Sequence, residues 1–432
     1  MLAGPNPAGV KVLNVTAIAE TMEEGQKFTA VSIEYSEPFR AGSVLRSSFE
    51  VKGRDITRVY INSSGKKGDV AYEGDHVIVE LATSNVPGAG LGSTLYFGRM
   101  HDMQAKVNHR LPIEAVVTQT DDLKAISGNL AISQRLEITA EANLLADEFD
   151  SFSFTDPASG VTVKYRLYIP KGYRVKTDGL RNLPLVVFLH GSGERGSNNF
   201  SQLAANRSAI EWVTAEAQAK HPCFVVAPQN PDVTKAWAAN IGTAEAPNWA
   251  MTAPLAAVKK IIDVLLRTYN VDASRIYGTG LSQGSKGTMR LSIDYPNLYA
   301  AQLNSSGCDV YSDEEVARIA RKPIWHLIAV DDSTNPSSNV RTLIQQLEKG
   351  GAKAVRKVGK EGWNAWLRGA DSAALARALW DQSVREKANV LYTEYLPATV
   401  VPNTHWSWMA TFSNETVRDW LFSQVNTAPY KP

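Results

Sequence analysis

The segment Gly280-Leu281-Ser282-Gln283-Gly284 restricts the fold of this chain more than any other part of the sequence. It follows an apolar run at residues 276–280 that reads as a buried strand, and it precedes a predicted helix over residues 285–295. Glycines two positions before and after a serine permit the sharp strand-to-helix turn that raises the serine hydroxyl above a parallel sheet. An ordinary Gly-Ser turn is the alternative, because the pattern also occurs by chance, so other segments must decide.

Bulk composition limits the partners that the chain can have. With 432 residues the chain is long enough for two or three domains. Its 45 basic and 44 acidic residues create no overall field that would attract nucleic acid or an anionic membrane. No run of 18 or more apolar residues is present, so no membrane-spanning helix is predicted. The sequence implies no metal ion and no organic cofactor, and it leaves the oligomeric state open.

The two cysteines are too few for a disulfide framework or a cysteine metal site. Cys223 precedes one predicted strand and Cys308 follows another. With two strands between them, at about 4.8 Å per strand, the two sulfur atoms cannot reach disulfide distance. We therefore predict two free thiols.

The first 146 residues alternate apolar and polar positions in short segments separated by turn residues. The clearest segments are residues 11–15, 28–35, 76–81 and 135–139. Period-two alternation with regular breaks predicts a β-sandwich of the immunoglobulin-like type. This domain, residues 1–146, offers no catalytic cluster.

From residue 147 onward, short continuous apolar runs alternate with helical stretches such as residues 254–269. Continuous runs are typical of parallel strands, because helices cover both faces of the sheet. These features predict an α/β-hydrolase domain over residues 147–432, with an insert at about 353–387. The predicted strands span residues 149–154, 161–169, 185–189, 224–227, 276–280, 300–303, 324–330 and 390–395.

The loops after these strands carry the candidate catalytic groups, since such sheets place functional residues at the carboxyl ends of their strands. A glycine-rich turn containing Ser192 and Gly193 follows the strand at 185–189. Its backbone N–H groups, together with that of Gln283, are candidates for an oxyanion hole. A flexible loop or a phosphate cradle is the alternative, although no Gly-Lys-Ser/Thr sequence follows.

Two aspartates, Asp331 and Asp332, follow the strand at 324–330, and one of them is expected to orient a histidine. His405 follows the last predicted strand, which gives the chain order Ser, Asp, His that this fold uses. The predicted triad is therefore Ser282, an aspartate and His405.

Three strings resemble the polyhydroxybutyrate-depolymerase-like and feruloyl-esterase-like branch of the α/β-hydrolases: HGSGERG from His190, RIYGTGLSQG from Arg275 and HWSW from His405. Bacterial members of this branch include esterases with an N-terminal immunoglobulin-like domain. The resemblance implies that Ser282 is the nucleophile, His405 the base and Asp332 the acid, with Asp331 second. The chain departs from the family pattern at two places: Ile328-Ala329 stands where His-Gly is usual, and Ser285 where glycine is usual.

The insert carries Trp363 and Trp366, which together with Trp406 are candidates for substrate contact. One hypothesis is an aromatic cap over the pocket, and the other is a helical excursion packed away from it. Helix-to-strand connections emerge opposite the catalytic edge of such sheets, so topology favours the second hypothesis.

The sequence thus predicts a serine carboxylester hydrolase that acts through an acyl-enzyme. Short-chain or aryl esters are the expected substrates, with polyester and feruloyl-type esters as candidates. A peptidase or thioesterase with the same triad is one alternative, and a carbohydrate-binding or adhesive protein with a decayed hydrolase domain is another. We expect an extracytoplasmic location with the leader absent from this sequence, and a cytoplasmic location stays open.

Overall fold

The computed structural model describes residues 9–68, 70–83, 100–102, 107–108, 113, 115–173, 182–243 and 247–432. The first eight residues, which bear on the expectation about a leader, lie outside these ranges. The chain divides into two compact units. The first comprises Met1–Gly98 with Arg110–Asp147, and the second comprises Arg99–His109 with Glu148–Pro432.

The first unit is built from β-strands, as the alternating pattern predicts. A five-stranded sheet has the order β12-β1-β2-β5-β4, a three-stranded sheet the order β11-β8-β3, and β9 pairs with β10. Neighbouring strands run antiparallel except β1 and β12. Side chains from neighbouring strands of the five-stranded sheet, such as Ile18, Tyr60 and Ile78, form a buried hydrophobic cluster. The strands are β1 (Val12–Met22), β2 (Gly25–Arg40), β3 (Phe49–Val51), β4 (Ile56–Asn62), β5 (Glu73–Leu81), β8 (Val117–Gln119), β9 (Leu123–Lys124), β10 (Leu130–Ala131), β11 (Gln134–Leu136) and β12 (Ala140–Leu144); the short pair β6 (Met100–Asp102) and β7 (Val107–Asn108) groups with the second unit.

The second unit contains a nine-stranded sheet with the order β13-β14-β16-β15-β19-β20-β21-β23-β22. The first two strands pair antiparallel, and from β16 onward all neighbours are parallel. The predicted strands are all present, within a few residues at their ends. They are β13 (Phe149–Thr155), β14 (Thr162–Tyr168), β15 (Leu183–Leu189), β16 (Phe224–Gln229), β19 (Val271–Leu281), β20 (Ala301–Ser305), β21 (Ile324–Ala329), β22 (Ala354–Lys357) and β23 (Val390–Tyr395), while β17 (Ala238–Asn240) and β18 (Trp249–Met251) form a separate pair.

Helices cover both faces of this sheet, which explains why its strands read as continuous apolar runs. On one face, α3 packs on strands β14, β15 and β16, while α4, α5 and α6 pack on β21 and β23. On the other face, α8 and α9 pack through the ring pairs Phe188–Phe412 and Trp325–Trp420. Within the described residues, no helix is both long and apolar enough to cross a bilayer. The helices are α1 (Ser201–Ala204), α2 (Ala215–Lys220), α3 (Ala253–Thr268), α4 (Gln283–Asp294), α5 (Asp313–Ala317), α6 (Ser337–Lys349), α7 (Gly369–Glu386), α8 (Trp408–Ser413) and α9 (Glu415–Phe422).

The insert at 353–387 contains one strand of the nine-stranded sheet and one helix. β22 adds a parallel edge strand beside β23, and α7 makes the connection between them. The prediction of a helix is confirmed, but the edge strand was not predicted. Its four residues, Ala-Val-Arg-Lys, contain no apolar run, because an edge strand needs less apolar surface than a central one.

The two cysteines are free, as predicted, and the structure shows that both are buried. Cys223 stands before β16 and Cys308 after β20, and strands β15 and β19 lie between these two strands in the sheet. Burial raises the pKa of the Cys223 thiol to about 12, so this thiol stays protonated at neutral pH.

Two tryptophans of the insert lie in opposite environments. Trp363 is 4% exposed, and its ring centroid lies 6.0 Å from that of Trp325 and 6.4 Å from that of Tyr395. Trp366 is 62% exposed. Trp363 therefore belongs to the core at the end of β23, whereas Trp366 is at the surface.

We predict that replacing Trp363 by alanine lowers the free energy of unfolding by about 3–5 kcal/mol, because it leaves a large cavity. Trp366→Ala should change it by less than about 0.5 kcal/mol, as is usual for surface positions. Urea unfolding of the two matched variants measures this difference. A larger loss for Trp366→Ala would show that its ring is covered in solution.

Candidate active site

The turn from β19 to α4 places Ser282 between a strand and a helix. Ser282 has φ 52° and ψ −118°, a conformation that costs a residue with a side chain free energy and is found at functional turns. A Cβ on Gly284 would lie 1.8 Å from the carbonyl oxygen of Leu189, and one on Gly280 would lie 2.4 Å from the carbonyl carbon of Gly284. Glycine is therefore required at both positions, because Gly284 is packed against the end of β15 and Gly280 against the first turn of α4.

A continuous hydrogen-bond chain runs from Ser282 through His405 to Asp332. The Ser282 Oγ lies 2.9 Å from His405 Nε2, and His405 Nδ1 lies 2.9 Å from each carboxylate oxygen of Asp332. A carboxylate only accepts, so Nδ1 carries the proton and Nε2 is left to accept from the serine hydroxyl. The structure thus brings His405 together with two side chains that lie 73 and 123 residues away in sequence, Asp332 and Ser282.

The two neighbouring aspartates have separate roles in the structure. The side chain of Asp332 is fully buried, and its Oδ1 also accepts from the backbone N–H groups of Thr334 and Asn335, each at 2.8 Å. Asp331 is exposed, and its Oδ2 accepts from the backbone N–H of Ala398 at 2.9 Å. Asp332 therefore faces His405, while Asp331 contacts the loop that follows β23.

Aromatic rings surround the loop that carries His405. The ring of Trp408 lies edge-on to the imidazole, with centroids 5.1 Å apart and an interplanar angle of 89°. Trp406 is half-buried, with its ring 6.2 Å from that of Trp408. Of the three tryptophans predicted to contact substrate, Trp406 is adjacent in sequence to His405, whereas Trp363 lies in the core described above.

The glycine-rich turn after β15 lies directly beside the turn that carries Ser282. Ser192–Glu194 forms a short 3-10 helix, and a Cβ built on Gly191 would lie 3.4 Å from the Cβ of Ser282. The turn that carries Ser192 and Gly193 therefore adjoins Ser282 through Gly191, and Gln283 is the first residue of α4.

His190 anchors this turn in a neutral state. Its Nε2 accepts from the backbone N–H of Asn230 at 2.9 Å, so its proton sits on Nδ1, which donates to the carbonyl oxygen of Gly191 at 2.6 Å. Burial lowers the pKa of His190 to about 4. The residue therefore stays uncharged at neutral pH and serves as a structural support.

Glu194 is a buried acid that the sequence analysis did not single out. Its Oε1 lies 3.4 Å from Asn206 Nδ2, and its Oε2 lies 3.9 Å from His190 Nδ1 with no hydrogen-bond partner among the described residues. Burial raises the pKa of Glu194 to about 7, and the nearby backbone N–H groups and the Arg195 charge act in the opposite direction. The only signal in the sequence is the pair Glu194-Arg195 inside a glycine-rich turn.

An ion pair lies one helical turn beyond Ser282. Lys286 Nζ is 2.9 Å from Asp309 Oδ1, and burial raises the pKa of Asp309. Within the described ranges, no group of three or more His, Cys, Asp or Glu side chains is arranged to bind a metal ion.

Comparisons with known proteins place this chain among the esterases. The family described as the esterase Ig-like N-terminal domain matches residues 14–131. The crystal structure of a thermostable esterase is 33% identical, with a TM-score of 0.79 over 96% of this chain and 100% of that chain. Acetylxylan esterase A from Emericella nidulans is 39% identical over 51 residues, which are 12% of this chain and only 17% of that relative.

The fold and these similarities define a hydrolase enzyme of the esterase class, with an N-terminal β-domain before an α/β-hydrolase domain. The chain belongs to the family of esterases that carry an immunoglobulin-like N-terminal domain. The predicted family resemblance is confirmed. An enzyme is accordingly favoured over the alternative of an adhesive protein with a decayed hydrolase domain.

We predict that Asp332→Asn and Asp331→Asn separate the two aspartates. Losing the carboxylate that orients the base should lower kcat on the order of 10⁴-fold, as it does in other serine triads. Asp331→Asn should lower kcat far less, because its carboxylate contacts only a neighbouring loop. Steady-state kinetics on an aryl ester measure both variants, and a reversed order would assign the acid to Asp331.

We predict that Glu194 makes stability depend on pH. Because its pKa rises from an ordinary 4.5 to about 7 on folding, the folded state binds the proton more tightly, and stability falls as pH rises through this window. Glutamine does not titrate. The free energy of unfolding of Glu194→Gln, measured relative to the wild type, should therefore rise by up to about 3 kcal/mol between pH 4.5 and pH 7.5.

Glu216→Gln at an exposed position supplies the matched control for the exchange of a carboxyl for an amide. Urea unfolding across the pH range gives the comparison. A constant difference between Glu194→Gln and wild type would show that folding does not raise the pKa of Glu194.

Proposed function

We propose that this esterase is a serine carboxylester hydrolase in which Ser282 is the nucleophile. The observation that carries the proposal is the hydrogen-bond chain from Ser282 through His405 to the buried Asp332. Such a chain removes the serine proton as the oxygen attacks, which a serine hydroxyl alone cannot achieve at neutral pH.

In the first half of the reaction, His405 Nε2 takes the proton from Ser282 while Oγ bonds to the acyl carbon of the ester. The electron pair of the carbonyl moves to oxygen and gives a tetrahedral oxyanion. Asp332 stabilises the imidazolium that forms. His405 then returns its proton to the leaving alcohol as the carbon–oxygen bond breaks, and an acyl-serine is left.

In the second half, water takes the place of the alcohol. His405 accepts a proton from the water while its oxygen bonds to the acyl carbon, and a second oxyanion forms. Collapse breaks the bond to Ser282, whose oxygen recovers the proton from His405. The carboxylic acid leaves, and every proton transfer in the cycle uses the same imidazole.

We propose that backbone N–H groups of Ser192, Gly193 and Gln283 stabilise both oxyanions. The close approach of Gly191 to Ser282 and the position of Gln283 at the start of α4 support this role. The first turn of a helix presents unpaired N–H groups and a positive dipole end to a negative charge. Fixed donors of this kind typically contribute about 3–4 kcal/mol to the transition state.

The substrates that we propose are short-chain and aryl esters, with feruloyl-type esters and polyesters as narrower candidates. The tryptophans beside His405 support an aryl group, because Trp406 keeps part of its ring exposed. The fungal relative is called an acetylxylan esterase, and its name supports a short acyl group in the substrate. An extracytoplasmic location stays a prediction.

We further propose that residues 1–146 form a domain without catalytic residues and that residues 147–432 carry the chemistry. All of the triad and oxyanion candidates fall in the second of the two compact units. This division keeps the catalytic loops on one sheet, where their spacing is set by the strands.

We predict that a fluorophosphonate labels Ser282 alone and that Ser282→Ala abolishes both labelling and ester hydrolysis. Peptide mapping after labelling identifies the modified residue, and Ser285→Ala serves as a control in the same helix. Initial rates on matched aryl ester and anilide substrates test the reaction class. Labelling elsewhere, or faster cleavage of the anilide, would contradict the proposal.

A further inference from the structure

The strand β20 carries none of the three proposed triad residues, yet its end contacts the segments that hold all of them. The backbone carbonyl oxygen of its last residue, Ser305, accepts a hydrogen bond from the backbone N–H of Ser282 at 2.9 Å. The next residue, Ser306, is fully buried and reaches the two other loops. The segment after β20 is therefore the meeting point of the site.

One contact of Ser306 leads to the loop of the base. Its Oγ lies 2.5 Å from the Oγ of Ser407, which is also fully buried and stands two residues after His405. The Ser407 carbonyl accepts from the hydroxyl of Thr411 at 2.9 Å, which extends the network into α8. The start of α8 is thus tied to the end of β20 by buried hydroxyl groups.

The other contact of Ser306 leads to the loop of the acid. Its carbonyl oxygen accepts from Asn335 Nδ2 at 2.8 Å. The backbone N–H of Asn335 in turn donates to Asp332 Oδ1 at 2.8 Å. Asn335 therefore links the Ser306 carbonyl to the Asp332 carboxylate through two hydrogen bonds.

The backbone of Ser306 supports a special role for this residue. Its φ of 58° lies in the left-handed region, where a residue with a side chain is disfavoured by about 1 kcal/mol or more relative to glycine. Glycine would relieve that strain but would remove the hydroxyl that contacts Ser407. Such strain persists only where surrounding contacts determine the conformation.

We propose that Ser306 is a positioning residue that holds the loops of Asp332 and His405 at their catalytic distance, through its carbonyl group and its hydroxyl. The inference rests on the proposed function, since it assigns these loops the acid and the base. Displacing a catalytic group by about 1 Å can cost on the order of 10²-fold in rate. Loss of the Ser306 hydroxyl should therefore lower kcat while substrate binding is preserved.

The test compares Ser306→Ala, Ser306→Gly and Ser407→Ala in the full chain. We expect each to lower kcat by about 10- to 100-fold on an aryl ester, with KM changed by less than about threefold. The Ser306→Ala/Ser407→Ala double variant should be no slower than the slower single variant, because both lose the same hydrogen bond. Ser306→Gly should melt at a higher temperature than Ser306→Ala and be equally slow.

Ser292 provides the matched control. It is buried, and its hydroxyl accepts from Gln302 Nε2 at 2.7 Å at the opposite end of β20. Ser292→Ala should lose comparable stability and keep the wild-type kcat. A wild-type kcat in Ser306→Gly and Ser407→Ala, additive losses in the double variant, or an equal kcat loss in Ser292→Ala would each overturn the role of Ser306.

The proposed function has a separate readout in the same series. Ester hydrolysis that survives in Ser282→Ala would contradict the nucleophile whatever the Ser306 variants do. If hydrolysis depends on Ser282 and the Ser306 variants are fully active, only the positioning role is wrong. Ser306→Ala and Ser407→Ala remove the same hydrogen bond from its two sides. If one of them fails to fold, the other carries the test.

Discussion

The close packing of the turn that carries Ser282 against the end of β15 is the contact on which the candidate site depends. A Cβ on Gly284 would lie 1.8 Å from the Leu189 carbonyl oxygen and 2.7 Å from that of His190, so no other residue fits without moving one of the strands. Parallel pairing sets Gly280 of β19 opposite Leu189 of β15, and the contact of Gly284 holds the start of α4 against this edge. As a result, the glycine-rich turn after β15 and the serine after β19 lie side by side, which the proposed oxyanion hole requires.

Buried polar groups and a strained backbone lie next to the loops of the candidate site. They lower the stability of the fold, and the apolar cores offset this loss. Ser306 adopts a strained backbone, Glu194 buries an oxygen with no partner among the described residues, and His190 is held neutral by burial. Each of these groups adjoins a loop of the site. Strain and unsatisfied groups of this kind are typical of functional regions, whereas the cores around α3 and α6 are apolar.

The sequence predicted those parts of the fold that depend on local patterns. Continuous apolar runs identified the central strands, and the glycines around Ser282 identified the turn, because both signals are local. The choice of Asp332 over Asp331 came from a family resemblance, since two adjacent aspartates differ only in where their side chains point. β22 was missed, because an edge strand of four residues has no pattern of its own. Ser306 and Glu194 were missed because their importance arises from contacts between segments distant in sequence.

The central claim is that this site forms a covalent acyl-serine at Ser282. An aryl carbamate tests it most directly, because a carbamoyl group leaves serine slowly and accumulates during turnover. Digestion and mass spectrometry then locate the group on the chain. The account predicts one carbamoyl group per chain on Ser282, formed together with an equal amount of released phenol. A carbamoyl group on another residue, or phenol release with Ser282 unmodified, would contradict it.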